Sequence, residues 1–195
     1  VPTDISLQST YLKMLMDTHQ IEKAIQKGEE WVEQFPNADL NALLGIALYR
    51  NKQINEAVPF LKKSMADGIP REFVYETMGN AFRLRGNTQG AIMFFQKEHD
   101  VFPNPLLLAK IGALYAKSKQ WKESEEAYSK YFEHFPKQLK HRHTYAQVLF
   151  NLKDFKTSEQ ILAPLMARSE PTPRVLLLQA NILAKTERME EGRTL

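Results

Sequence analysis

Residues 108–136 read LAKIGALYAKSKQWKESEEAYSKYFEHFP. Apolar residues recur at helical spacing in the first part of this stretch, as Leu108, Ile111 and Tyr115 do, and they form one stripe on one helix. A short polar break follows, and a second apolar stripe then runs on to Phe135-Pro136. Because proline cannot continue a helix and biases the residue before it away from helical angles, the stretch predicts two helices joined by a tight turn and ended by the proline.

The same pattern recurs along the chain with a period of about 34 residues. Prolines mark it at Pro36, Pro70, Pro103, Pro136 and Pro171. Small residues keep the same interval at Gly45, Gly79, Gly112, Ala146 and Ala180. A second series of small residues lies twelve residues after each member of the first series, and its first member lies twelve residues after Leu12. The second series is Ala24, Ala57, Ala91, Ser124, Ser158 and Gly192. Three landmarks in one register predict a repeat architecture, and we expect the small residues to mark close contacts between the two helices of each repeat.

The landmarks predict a single array of repeats. The repeats span about 4–37, 38–70, 71–104, 105–137, 138–171 and an incomplete 172–195. A repeat array needs a polar terminal cap for solubility, and the sixth repeat ends only a few residues into its second helix. We therefore expect the chain to be a fragment of a longer protein, or its uncapped last repeat to serve as a surface for self-association.

The repeats carry a family resemblance. Leu108-x-x-Ile111-Gly112-x-x-Tyr115, followed by Ser124, Tyr128 and Pro136, is similar to the tetratricopeptide repeat (TPR) signature. The motifs around Leu44-Gly45 and Met78-Gly79 resemble it too, so that the resemblance covers essentially the whole chain. It implies an all-α fold, a right-handed α-solenoid of antiparallel helix pairs. It also implies a non-catalytic scaffold whose first helices line a concave groove for a peptide or helix of a partner protein.

Composition excludes several other classes of protein. The 195 residues include 26 basic and 23 acidic ones, and a net charge of +3 is too small to indicate a nucleic-acid partner. The chain has no cysteine, so a disulfide framework, a thiol nucleophile and a cysteine zinc site are all excluded. No apolar run reaches the roughly 18 residues that a membrane span needs. The sequence leaves the compartment open between cytoplasm and periplasm.

No catalytic motif is present. The chain has no His-Glu-x-x-His, no phosphate-binding glycine loop and no Gly-x-Ser-x-Gly, so we predict no enzyme and no cofactor. His141 and His143 point to different faces of a helix, which disfavours a metal site. The stretch with Lys137, Lys140, His141, Arg142 and His143 is the best candidate for binding nucleic acid. We interpret it instead as a solvated loop and helix start, since most aromatic residues of the chain lie in core registers rather than on an exposed face.

The remaining candidate site is the groove that the resemblance implies. Its positions lie three residues before each first-series small residue and one, four and five residues after it. The predicted partner-binding residues at these positions are Tyr49, Arg50, Glu76, Asn80, Arg83, Lys117, His143, Gln147, Phe150 and Asn181. The amides among them can donate to and accept from a peptide backbone, and the two aromatic residues could serve as anchors.

Two alternatives to this interpretation stay open. The same positions could be no more than the solvated face of a spacer. The groove could also bind polysaccharide or single-stranded RNA on behalf of an attached enzyme or export machine.

Overall fold

The computed structural model describes residues 4–66, 68 and 70–186. These residues form eleven α-helices and contain no strand, as the sequence predicts. The helices are α1 (Ile5–Asp17), α2 (Ile21–Gln34), α3 (Ala38–Arg50), α4 (Ile54–Ser64), α5 (Val74–Leu84), α6 (Thr88–Val101), α7 (Leu106–Lys117), α8 (Trp121–His134), α9 (Arg142–Asn151), α10 (Phe155–Met166) and α11 (Pro173–Lys185). No helix in the described part of the chain combines the length and the apolar character that a membrane span requires.

Contacts divide the chain between Pro103 and Asn104 into two compact units. The N-terminal unit contains α1–α6, in which α1 packs against α2, α3 against α4 and α5 against α6. The C-terminal unit contains α7–α11, in which α7 pairs with α8, α9 pairs with α10, and α11 packs against α10. Each pair joins two consecutive helices through a turn of a few residues, which makes the two helices antiparallel.

The second helices end where the Phe-Pro dipeptides predict. Helices α2, α6 and α8 stop one residue before Phe35, Phe102 and Phe135 respectively. Each phenylalanine leaves helical geometry, with φ between −134° and −125° and a positive ψ. These angles lie outside the α-helical region, which a following proline disfavours for the residue before it.

The first series of small residues lies where two helices approach closely. A Cβ atom on Gly79 would lie 2.7 Å from the ring of Phe95 and 3.2 Å from the carbonyl oxygen of Ala91. In the C-terminal unit, a Cβ atom on Gly112 would lie 3.0 Å from the ring of Tyr128. The predicted close contacts are confirmed at these two glycines, where a large side chain one turn beyond the second small series fills the space that the glycine leaves.

Serines of the second small series also bond to the first helix of their pair. Ser124 Oγ donates to the carbonyl oxygen of Gly112 at 2.8 Å, and Ser158 Oγ donates to that of Ala146 at 2.7 Å. Both serine side chains are fully buried, so each hydroxyl needs such an acceptor. The two bonds join equivalent positions of the fourth and fifth predicted repeats.

A buried carboxylate caps α5 from the neighbouring helix. Phe73, which precedes α5, has a φ of 72° and no side-chain cap of its own. Glu98 of α6 is 1% exposed and accepts from Phe73 N at 2.6 Å and from Glu76 N at 3.1 Å. The carboxylate satisfies amides that the helix start leaves free, and it complements the helix dipole. Burial raises the pKa of Glu98, although the two backbone hydrogen bonds act in the opposite direction.

The predicted sixth repeat begins with α11. Its remaining residues, 187–195, together with Gly192 of the second small series, lie outside the described residues. Self-association through the last repeat therefore stays a prediction.

Candidate functional site

A cavity of about 300 Å³ lies between α9 and α11 of the C-terminal unit. It is lined by His143, Gln147, Arg174, Leu177, Leu178 and Asn181. Three of these are predicted groove residues, and the structure brings them together on the first helices of two successive repeats. Gln147 and Asn181 are equivalent in the repeat register, so their side-chain amides recur at the same helix position.

Hydrogen bonds of His143 and Asn151 stabilise the helices around this cavity, and the side-chain amides of Gln147 and Asn181 line it. His143 Nε2 lies 3.3 Å from the carbonyl oxygen of Arg174, and this contact requires a proton on Nε2 because a carbonyl only accepts. Asn151 Nδ2 donates to the backbone oxygen of Gln147 at 2.6 Å, so this bond does not use the Gln147 side chain. Leu177 stands on the rim and is 64% exposed. The cavity thus combines two donor–acceptor groups with an apolar surface.

The N-terminal unit has a smaller cavity of about 270 Å³. It is lined by Lys13, Met16, Asp17, Leu43, Ile46, Arg50, Arg71, Glu72 and Phe73. Arg50 is the one predicted groove residue in this described lining. Arg71 also pairs with Asp39, with 2.8 Å between Nη1 and Oδ1, and Ser9 Oγ donates to Asp39 Oδ2 at 2.5 Å. This chain of contacts connects α1, α3 and the segment before α5.

The two predicted aromatic anchors pack against the chain itself. Tyr49 is half-buried and lies against the hydrophobic core of the N-terminal unit. Phe150 is half-buried against the core of the C-terminal unit, with its ring centroid 5.4 Å from that of Phe155. Only the part of each ring that stays exposed is free to contact a partner.

The other predicted groove residues lie on the expected helices but away from the two cavities. Asn80 and Glu76 are half-buried on α5, where the Glu76 backbone amide donates to Glu98. Arg83 near the end of α5 and Lys117 at the end of α7 are exposed. None of these four belongs to the described lining of either cavity.

The interpretation of residues 137–143 as a solvated loop is wrong for two of them. Arg142 is only 9% exposed, and its guanidinium donates to the carbonyl oxygens of Gln138, at 3.0 Å, and Pro136. His141 packs edge-on against Tyr131, with the ring centroids 5.6 Å apart. The loop carbonyls have no helical partner here, so a buried arginine supplies the donors that they need.

This burial also shifts the pKa values of the two side chains. It lowers the pKa of His141, and the positive charge of Lys140 lowers it further. Burial lowers the pKa of Arg142 as well.

Sequence reasoning missed Arg168 and Arg174. Arg168 lies between α10 and α11, and Arg174 lies in the first turn of α11. The predicted groove positions lie within five residues of the small residue in each first helix. Residues in loops and at helix starts are therefore not among them. The signal that could have found them is a pair of arginines on either side of Pro171 and Pro173, with Glu170 as the acidic residue between them. Within residues 4–66, 68 and 70–186, no three histidine or carboxylate side chains gather as metal ligands.

Solved structures of TPR proteins are similar to this chain over almost its whole length. The TPR protein YrrB, described as having an unusual peptide-binding site, is 11% identical over 96% of this chain and 92% of its own, with a TM-score of 0.72. PilF from Pseudomonas aeruginosa is 15% identical over 96% of this chain and 86% of its own, with a TM-score of 0.69. MamA from Desulfovibrio magneticus RS-1 is 16% identical over 83% of this chain and 92% of its own, also with a TM-score of 0.69.

At these identities the similarity shows the fold. The chain has the TPR fold, an all-α, right-handed solenoid of antiparallel helix pairs. The sequence matches no protein-family model and no curated protein sequence.

Proposed function

We propose that this chain is a non-catalytic scaffold for protein–protein interaction, which binds a peptide or helix of a partner protein on the face formed by its first helices. The observation that carries this proposal is the cavity between α9 and α11, where Gln147 and Asn181 present equivalent amides beside the exposed Leu177. The peptide-binding site named for YrrB, which has the same fold, supports the proposal.

The chemistry of the cavity suits a polypeptide. Each side-chain amide can donate to one backbone carbonyl of a bound segment and accept from one of its N–H groups. The apolar surface of Leu177 gains about 25 cal/mol for each Å² that a partner side chain removes from water. Each unit presents its own part of the proposed first-helix face. The N-terminal unit contributes Tyr49, Arg50, Glu76, Asn80 and Arg83, and the C-terminal unit contributes Lys117, His143 and Phe150 beside the cavity residues.

The test is the double variant Gln147→Ala with Asn181→Ala. The partner is first captured from a cell extract on the immobilised chain and identified, and its affinity is then titrated. Because the loss of a desolvated contact at a hot spot costs above 1 kcal/mol, we expect binding to weaken at least about tenfold. The thermal midpoint should change little, since Gln147 is half-buried and Asn181 is exposed, and neither belongs to a core.

The matched control removes two exposed amides from second helices, in the variant Gln26→Ala with Gln160→Ala. It should leave the affinity within about twofold, in keeping with near-neutral positions outside a hot spot. Equal losses in both variants would show that the first-helix face is not the binding site. Failure of the chain to retain any protein partner would contradict the scaffold function itself.

A further inference from the structure

The C-terminal unit contains a second cavity, of about 700 Å³, beside the one between α9 and α11. The two cavities share His143 and Arg174. The larger one is lined by Leu139, Lys140, His141, His143, Thr144, Leu165, Arg168, Thr172, Pro173, Arg174 and Val175. These residues come from the segments before α9 and α11 and from the helix ends next to them. A volume of this size is in the range of cavities that hold a ligand or several side chains of a partner.

The ionisable side chains in the described lining of this cavity are all basic. Its basic lining residues are Lys140, Arg168, Arg174 and the two histidines, and the described lining includes no aspartate or glutamate. Among the residues that the structure describes, no carboxylate forms an ion pair with Lys140, Arg168 or Arg174. All three of these side chains are exposed. Glu170 lies between the two arginines in the sequence, but it is not part of the described lining and pairs with neither of them. The described lining therefore carries a net positive charge, which favours an anionic ligand.

Apolar surface accompanies this charge. Leu165 and Val175 are buried at the base of the lining, whereas Leu139 is 42% exposed. A ligand that carried only charge would leave Leu139 in contact with water. A segment with an apolar side chain next to its acidic groups would cover Leu139 and pair with the arginines.

We infer that this cavity binds an acidic segment of the partner protein, in which carboxylates pair with Arg168 and Arg174 and an adjacent apolar side chain packs on Leu139. This inference rests on the proposed scaffold function and specifies the chemistry of its partner. Arginine suits this role because its planar guanidinium bonds a carboxylate through two parallel N–H···O contacts.

The lining favours a peptide over single-stranded RNA. Proteins that hold single strands stack the bases on aromatic side chains, and no phenylalanine, tyrosine or tryptophan is part of the described lining. The ring of His141 is already in contact with Tyr128 and Tyr131 of α8. Arg142, next to it, uses its guanidinium on loop carbonyls.

Selection from a random peptide library tests the chemistry of the cavity before any partner has been identified. Phage-displayed heptapeptides are selected on the full chain, and the enriched sequences are labelled and titrated by fluorescence anisotropy. We expect the enriched peptides to carry at least two acidic residues beside an apolar one. Enrichment of neutral or basic sequences, or no enrichment at all, would overturn the inference.

Two pairs of substitutions then locate the binding. The variant Arg168→Gln with Arg174→Gln should weaken binding of the best acidic peptide at least about tenfold, because it removes both carboxylate partners. The control Lys122→Gln with Lys156→Gln removes the same net charge from exposed positions of α8 and α10 and should change the affinity less than about twofold. Similar losses in the two variants would mean that net charge alone attracts the peptide, and the cavity would be excluded.

A twelve-nucleotide oligouridylate is titrated in parallel. Tighter binding of this RNA than of the best peptide, lost in the Arg168 and Arg174 variant, would overturn the inference in favour of nucleic acid. The partner captured on the chain separates the two proposals. If its binding depends on Gln147 and Asn181 but not on the two arginines, only the acidic-segment inference is wrong.

Discussion

Gly79 lies so close to Phe95 that even a methyl group would not fit without movement. A Cβ atom at this position would lie 2.7 Å from two ring carbons of Phe95 and 3.2 Å from the carbonyl oxygen of Ala91. Phe95 is fully buried, so its ring has no solvent-side space into which it could move. Gly79→Ala should therefore lower the free energy of unfolding by about 1–3 kcal/mol, although alanine favours a helix more than glycine does.

Urea denaturation measures this change. The control is Gln89→Ala, an exposed position in the first turn of α6, which should stay within about 0.5 kcal/mol of the parent chain. A Gly79→Ala variant as stable as the control would mean that the glycine series has no role in close packing.

The residues that sequence reasoning identifies correctly are those whose constraint is local and repeated. Gly79, Gly112 and the Phe-Pro dipeptides recur in register because every repeat needs the same close approach and the same helix end. Gln147 and Asn181 also occupy equivalent positions and line one cavity, but their role in binding a partner stays a prediction. Arg168 and Arg174 lie outside the repeated helical positions, and only the folded chain shows that they line one cavity.

Helix ends are where the structure adds most to the sequence. The helices follow from apolar stripes at helical spacing, which lie within a single stretch of chain. Some helix starts are capped by a neighbouring side chain, as Asn37 caps α3, but α5 is capped by Glu98 from 25 residues further along. Arg142 bonds to the loop before α9 and approaches the carbonyl oxygen of Ile161 on α10 at 3.4 Å. No local pattern reveals such contacts, so the basic stretch around Arg142 has the sequence character of a solvated loop.

The cap of α5 gives stability a dependence on pH with a defined sign. Burial raises the pKa of Glu98 in the folded chain above its ordinary value of 4.5. Between the pKa of Glu98 in the unfolded chain and its higher pKa in the folded chain, the folded state binds more protons than the unfolded state. The contribution of Glu98 to the free energy of unfolding is therefore lost as the pH rises through the folded pKa. The difference in unfolding free energy between the parent chain and Glu98→Gln should fall as the pH increases from about 4 to 7.

Urea denaturation at several pH values measures this difference, and Glu126→Gln provides a control of opposite sign. The hydrogen bond from Lys130 lowers the pKa of the exposed Glu126, so there the difference should rise slightly with pH. If the difference in unfolding free energy between the parent chain and Glu98→Gln grew with pH, the backbone hydrogen bonds would affect the pKa of Glu98 more strongly than burial does.

At the scale of the whole molecule, the division between Pro103 and Asn104 has consequences for folding. The N-terminal unit contains a hydrophobic core that extends from Leu12 on α1 to Phe94 on α6. The C-terminal unit contains core clusters of its own around Tyr128 and Leu162. Because the stability of a repeat array is approximately a sum of repeat and nearest-neighbour terms, a cut between the two units leaves the helix interfaces within each unit intact.

The fragment 1–103 should therefore fold by itself, with a helical circular dichroism spectrum and a single cooperative thermal transition below that of the full chain. The control fragment 1–86 ends before α6 and removes the partner of α5, which would expose the buried side chains of Val74 and Met78. It should lose the helicity of α5 as well as that of α6, because a helix of 11 residues is marginal without packing. A fragment 1–103 that melted without a cooperative transition, like a partly unfolded chain, would show that the N-terminal core does not sustain α1–α6 by itself.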